Sequence, residues 1–317
     1  EGNEFVRKIF NPDFGVGYVF VANLAGSVIM LLCLLPEILG TKLQFSADLW
    51  KKMIIYSFPL LISGLAGIIN DALDKVILRR LVDSDTPLAI VGEYGAGYKI
   101  AVLMALFIQM YRFAMEPFFF EKASGKDARE TYATTMKYFV IYALILFLAL
   151  NLYISVIQLI LPGNYRNAMF IVPIVSMAYL LYGIFVNLSI WYKANDLTKF
   201  GAYLTIMGAI VTIAINIIFI PKYSYLASAW AHVACYGTMI AGSYLLSRKY
   251  YQIPYEKARI IMYLVIAVLI VVLANYINYS SLSRELGFNT LFILGFVFVA
   301  EYSDKAISVF FRRKKKL

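Results

Sequence analysis

The chain of 317 residues is 62% hydrophobic and 15% charged, with a mean hydropathy of +0.74. Soluble domains run closer to half apolar and a quarter charged, so the composition argues for an integral membrane protein. The net charge of +10 lies between apolar runs, which reads as orientation in a bilayer and not as nucleic-acid binding.

A bilayer-crossing helix needs about 20 mostly apolar residues. In chain order the windows are Val16–Glu37, Met53–Leu78, Tyr98–Phe120, Phe139–Leu161, Phe170–Trp191, Phe200–Pro221, Ser224–Ser247, Ile260–Tyr279 and Phe288–Phe311. The expectation is an all-α, polytopic transmembrane bundle of about nine spans. The last is the weakest, because Glu301, Asp304 and Lys305 interrupt it. Connections are short, the longest being Arg79–Gly97. No window looks like a signal peptide. The opening, "EGNEFVRKIFNPDFG", starts in mid-stream and suggests that an N-terminal portion is missing.

The positive-inside rule supports the count. Of 29 Lys and Arg residues, nineteen fall on one side, among them Lys122, Lys137, Lys193, Arg259 and the tail "RRKKK". Eight fall on the other side, and Lys75 and Arg112 lie within spans. This places the C-terminus in the cytoplasm. Cys33 and Cys235 sit in apolar runs with no metal-like spacing, so they read as buried small hydrophobes. The single His232 reads as a packing residue or, less simply, a proton relay.

Ionisable residues within spans are costly and are functional candidates by default. In "GIINDALDKVILRR", Asp71 and Lys75 share a helix face at i, i+4, with Asp74 turned away by about 100°. The group is either an interfacial pair reaching for headgroups or the wall of a cavity opening outward. In "FIQMYRFAMEPFFFE", Gln109, Arg112 and Glu116 lie on one stripe, with Arg112 and Glu116 able to pair. That stripe either glues helices together or faces a cavity, with Lys99 a second cation at the outer end of the same helix. Asn23, Asn70, Asn151, Asn187 and Asn216 read as interhelical glue. Pro59 and "SGLAG" suggest a bendable second span.

No Walker loop, HExxH, DxD or GxSxG is present. We therefore expect no enzyme, no cofactor and no metal site.

The order of several motifs resembles a known family. "NDALDKVILRRL", "VGEYGAGYKIA", "RFAMEPFFFEKAS", "LPGNYRNA" and "INIIFIPKYSYLASAWAHVACY" are similar to stretches of the polysaccharide flippases of the multidrug/oligosaccharidyl-lipid/polysaccharide exporter superfamily. In the last motif Ser224 and Ala227 replace family glycines. The resemblance implies an N-terminally truncated chain, the C-terminal lobe of a two-lobe MATE-like transporter. Residues 1–50 would then be the last helix of the N-terminal lobe and a linker, 51–250 the six-helix C-terminal lobe, and 251–317 two extra helices with a basic tail.

The function implied is flipping of undecaprenyl-pyrophosphate-linked oligosaccharide across the bacterial inner membrane by alternating access, for surface polysaccharide such as O-antigen, capsule or exopolysaccharide. Lys75, Lys99 and Arg112 would bind the pyrophosphate. Asp71, Asp74, Gln109 and Glu116 would support them or couple transport to H+ or Na+. The partners implied are the lipid-linked substrate and membrane lipids. Two rivals are a drug or cation antiporter of the same superfamily, disfavoured by Arg112 and Lys75, and a membrane-embedded polymerase, disfavoured by the short loops.

Overall fold

The structure is a computed structural model that describes residues 14–15, 17–40, 45–123, 125, 127–277 and 279–306. The side chains of Ala66, Ile69, Asn70 and Asp71 lie outside the described set, as does the basic tail. Every regular element among the described residues is helical. The long helices are α1 (Gly17–Gly40), α2 (Ala47–Leu81), α3 (Pro87–Lys122), α4 (Ala128–Leu152), α5 (Val172–Leu188), α6 (Lys199–Tyr223), α7 (Tyr225–Tyr250), α8 (Lys257–Tyr276) and α9 (Leu282–Asp304). A 3₁₀ segment, Gly163–Ile171, leads into α5, and a short helix, Ile190–Lys193, follows it. The chain is an all-α polytopic bundle.

Each of the nine windows has its helix, and among the described residues seven helical stretches are long and apolar enough to cross a membrane on composition alone. Outside those seven stand α7 and α2, although α2 carries the charge-free run Met53–Asn70. Ser, Gly, Tyr and His residues dilute α7.

Two boundaries differ from the sequence reading. The connection expected over Arg79–Gly97 shrinks to residues 82–86, because α3 starts at Pro87. Proline suits the first helical turn, where its missing N–H costs nothing, and "GEYGAGYK" continues the helix. The last span is shifted toward the N-terminus, ending at Asp304 with Lys305 in a left-handed cap at φ 51°. Helix α2 runs through Pro59, and added Cβ atoms at Gly64 and Gly67 would meet open space among the described residues.

The chain divides into two compact units, residues 1–54 and 55–317. In the first, no side chain of α1 is buried. Apart from Glu37 the helix carries no charge, and an apolar surface of this kind suits acyl chains. In the second, α3, α4, α5 and α7 build the main core, and α6 packs along α7. Two glycines set the close approaches. A Cβ on Gly97 of α3 would lie 2.8 Å from the Ala168 carbonyl of the 3₁₀ segment, and one on Gly183 would collide with the Phe139 ring.

Asparagines join helix to helix as expected. Asn151 donates to Ser176 Oγ at 3.2 Å, Tyr111 donates to Asn187, and Ser228 donates to Asn216 at 2.7 Å. Such bonds contribute about 0.6 kcal/mol each on average. Asn23 makes no such link, its carbonyl serving only Ser27 on its own helix.

Helices α8 and α9 dock on α4 through a polar network. Asp304, its side chain 1% exposed, accepts from Lys137 Nζ at 2.8 Å and Tyr263 Oη at 2.6 Å, and pairs with Arg259. Glu256 closes the ring through Lys137 at 2.7 Å and Arg259 at 3.1 Å. Two cations meet two anions, so little uncompensated charge is buried. The sequence reading placed Lys137 in a connection, whereas it lies inside α4.

At the α6–α7 junction Ser224 has φ 50° and ψ −140°, and its hydroxyl is buried without a partner among the described residues. The conformation costs an L-residue roughly 1–3 kcal/mol, and glycine adopts it most easily. Ser224→Gly should raise the thermal midpoint in detergent, by about 1 kcal/mol of stability. Asp304→Asn should destabilise by on the order of 3 kcal/mol by leaving Lys137 and Arg259 to share Glu256 alone, read in the same melting experiment.

Candidate functional site

Two polar clusters sit on α3, about 21 Å apart along its axis if measured from Tyr98 to Arg112 at 1.5 Å per residue. The spacing is two-thirds of a hydrocarbon core, so one helix carries a cluster near each face.

The first cluster forms where α2, α3, α5 and α7 converge. Asp74 of α2 is fully buried. Its Oδ2 accepts from Tyr94 Oη at 2.6 Å and from His232 Nε2 at 3.1 Å. Its Oδ1 faces Lys75 Nζ at 3.4 Å and accepts the Lys75 backbone N–H at 2.6 Å. Lys75 Nζ also lies 4.2 Å from the centre of the Tyr98 ring, a cation–π geometry. A narrow crevice lined by Tyr98, Tyr179, His232 and Tyr236 continues inward. Rings at centroid spacings of 5.9, 6.2 and 5.2 Å lead from Tyr98 through His232 and Tyr236 to Tyr182.

This geometry corrects one detail. Asp74, which helical spacing turned away from Lys75, contacts it, because a lysine stem is long enough to reach around the helix. The other expected partner, Asp71, has its side chain outside the described residues. His232, read chiefly as packing, is a direct partner of the buried carboxylate. The available signal was that it is the sole ionisable group within its span.

The second cluster lies toward the far end of α3. Glu116 Oε1 accepts from Arg112 Nε at 3.1 Å and from Lys193 Nζ at 2.5 Å. The i, i+4 pair expected between Arg112 and Glu116 is therefore present. A shallow recess runs beside them, with Tyr111, Met115, Phe119, Val186 and Ile190 in its walls. Lys193 was missed because the apolar run ends at Trp191, which made it look like a flanking topology residue. The chain turns at Ser189, after α5, and the short helix that follows carries Lys193 back to α3.

Lys99 and Gln109 are not drawn into either cluster. Both are exposed, with no ion pair or hydrogen bond among the described residues. Tyr111 and Tyr182 are engaged internally. Tyr111 packs on Phe139 at 4.5 Å, and Tyr182 on Tyr236. In the connector between α7 and α8, burial pushes the Tyr255 phenol well above the ordinary tyrosine range, and its hydroxyl has no partner among the described residues.

The described residues contain no group of three His, Cys, Asp or Glu side chains placed to hold a metal. What the two clusters offer is charge: cations held beside carboxylates, partly exposed, on an apolar bundle. Such groups can bind anions and exchange protons.

No curated protein and no solved structure matches the chain. Residues 15–123 match the family model described as polysaccharide biosynthesis protein. The match covers about a third of the chain and includes Asp71, Asp74, Lys75, Lys99, Gln109, Arg112 and Glu116, while Lys193 and His232 lie beyond it. Over that third the chain is similar to the polysaccharide biosynthesis family.

Proposed function

We propose that the chain moves a lipid-linked oligosaccharide, carried on a prenyl pyrophosphate, across the bacterial inner membrane for surface polysaccharide assembly. The C-terminus is cytoplasmic in this reading, and the chain acts as a transporter and not as an enzyme. Residues 51–250 serve as the cation-bearing lobe. The observation that carries the proposal is the pairing of Arg112 with Glu116 beside a shallow, largely apolar recess. Arginine presents a planar fork of donors suited to phosphate oxygens, and a low-dielectric wall strengthens each contact.

Lys75 of α2, beside Tyr98 at the other end of α3, forms the second station, where the diphosphate arrives on the opposite side. The prenyl tail stays in the bilayer throughout. Only the charged head needs a polar route, since the hydrocarbon core penalises it and not the tail.

Asp74 is the coupling group in this scheme, and the ion is H+. Its oxygens face donors, namely Tyr94 Oη, His232 Nε2 and the Lys75 nitrogens. A sodium ion would need a cage of oxygens there; a proton needs only a carboxylate and an imidazole within reach of each other.

Two experiments test this reading. Arg112→Ala should insert and fold normally yet fail to rescue a strain lacking its flippase, and full rescue would remove Arg112 from the mechanism. Asp74→Asn should abolish transport driven by an imposed proton gradient in proteoliposomes while substrate binding persists. Gradient-driven transport at the wild-type rate would exclude Asp74 as the coupling group.

A further inference from the structure

The arrangement around Glu116 goes beyond a single binding cation. Arg112 on α3 and Lys193 on the short helix after α5 converge on the same carboxylate oxygen, Oε1. Two positive charges thus share one negative charge. Of the Arg112 guanidinium only Nε is engaged among the described residues, so the two terminal nitrogens retain their donors. The Arg112 side chain is 45% exposed, against 15% for Lys193 and 28% for Glu116. The site is open on the arginine side and closed on the lysine side. Met115, Phe119, Val186 and Ile190 make its walls apolar.

We infer that Arg112 and Lys193 form an anion site whose resident occupant is the Glu116 carboxylate, and that a phosphate or diphosphate group takes the place of Glu116. The inference rests on the flippase reading for its biological substrate, but not for its chemistry. A carboxylate oxygen between two N–H cations occupies the position that a phosphate oxygen would take. A diphosphate brings more charge and more acceptor oxygens than one carboxylate, so it competes favourably for both cations. When it leaves, Glu116 returns and keeps the cations from standing unpaired in an apolar wall. The glutamate is therefore an internal competitor that keeps affinity moderate, which a carrier needs in order to release its cargo. Lys193 becomes a ligand-binding residue, one that sequence position alone gave no reason to choose.

A plain structural ion pair predicts something different. It would lose stability when Glu116 is neutralised and would gain no affinity for anions. The test uses the full chain in lipid nanodiscs, with calorimetric titration of inorganic pyrophosphate, farnesyl diphosphate and uncharged farnesol. Glu116→Gln should bind both anions roughly tenfold more tightly than wild type, and Lys193→Gln roughly tenfold more weakly, as one charge-assisted bond gained or lost implies. Lys193→Arg should keep most of the affinity. Farnesol should compete with neither anion.

Equal affinity in wild type and Lys193→Gln overturns the inference. Weaker binding by Glu116→Gln does so too, as does no binding by any variant. Should Glu116→Gln fail to fold, the contrast between Lys193→Gln and Lys193→Arg decides. The two sources of the anion separate in the same titrations. Tighter binding of farnesyl diphosphate than of pyrophosphate identifies a lipid headgroup. Equal binding of the two keeps the anion site and removes the lipid-flipping reading.

Discussion

The cost of leaving a charge unpaired in a medium of low dielectric governs this structure. Asp74, Glu116 and Asp304 stand among apolar helices, and opposite charge meets each of them. Asp74 is met by Lys75, with His232 as a hydrogen-bond partner, Glu116 by Arg112 and Lys193, and Asp304 by Lys137 and Arg259. The contrast among the three is informative. The Asp304 network, with Glu256, balances two cations with two anions and closes on itself, as a staple holding α8 and α9 to α4 would. The Glu116 cluster is left with a positive excess and opens to a recess. The Asp74 cluster opens through Lys75, which is one-third exposed at its side chain.

The fold serves these clusters by placing rigid elements at short distance. Gly97 lets α3 press against the 3₁₀ segment before α5, and Gly183 admits the Phe139 ring between α4 and α5. With α3, α5 and α7 thus fixed, Tyr94 and His232 meet at one carboxylate, Tyr98 packs beside His232, and Tyr179 packs on Tyr98. The same α3 then carries Arg112 and Glu116 toward the other side of the bilayer. A single helix of 36 residues therefore links the two stations, and any tilt of it shifts both relative to the membrane.

Much of this was legible in the sequence. Apolar windows of about 20 residues marked all nine long helices, because burial in lipid imposes length and composition directly. The i, i+4 spacing of Arg112 and Glu116 read correctly, since helical geometry alone decides it. Boundaries were less legible. Glu93 and three glycines made the start of α3 look like a loop, although Pro87 and close packing at Gly97 make it helix. Lys193 and Lys137 looked like topology markers, because spacing along one helix says nothing about a partner 77 or 167 residues away. Asp74 looked turned from Lys75 because Cβ directions ignore the reach of a long side chain. Ser224 shows the reverse case: a departure from glycine flagged by resemblance corresponds to a backbone conformation that glycine accepts most easily.

The central claim is that the Arg112 recess is wet and receives an anionic lipid head. It is tested most directly by placing one cysteine at Met115, in a chain whose Cys33 and Cys235 have been replaced, and measuring labelling by a membrane-impermeant maleimide in sealed vesicles. The account predicts labelling from the cytoplasmic side that a prenyl diphosphate suppresses and an uncharged prenol does not. Labelling only by a lipid-soluble reagent, with no protection by the diphosphate, would contradict it.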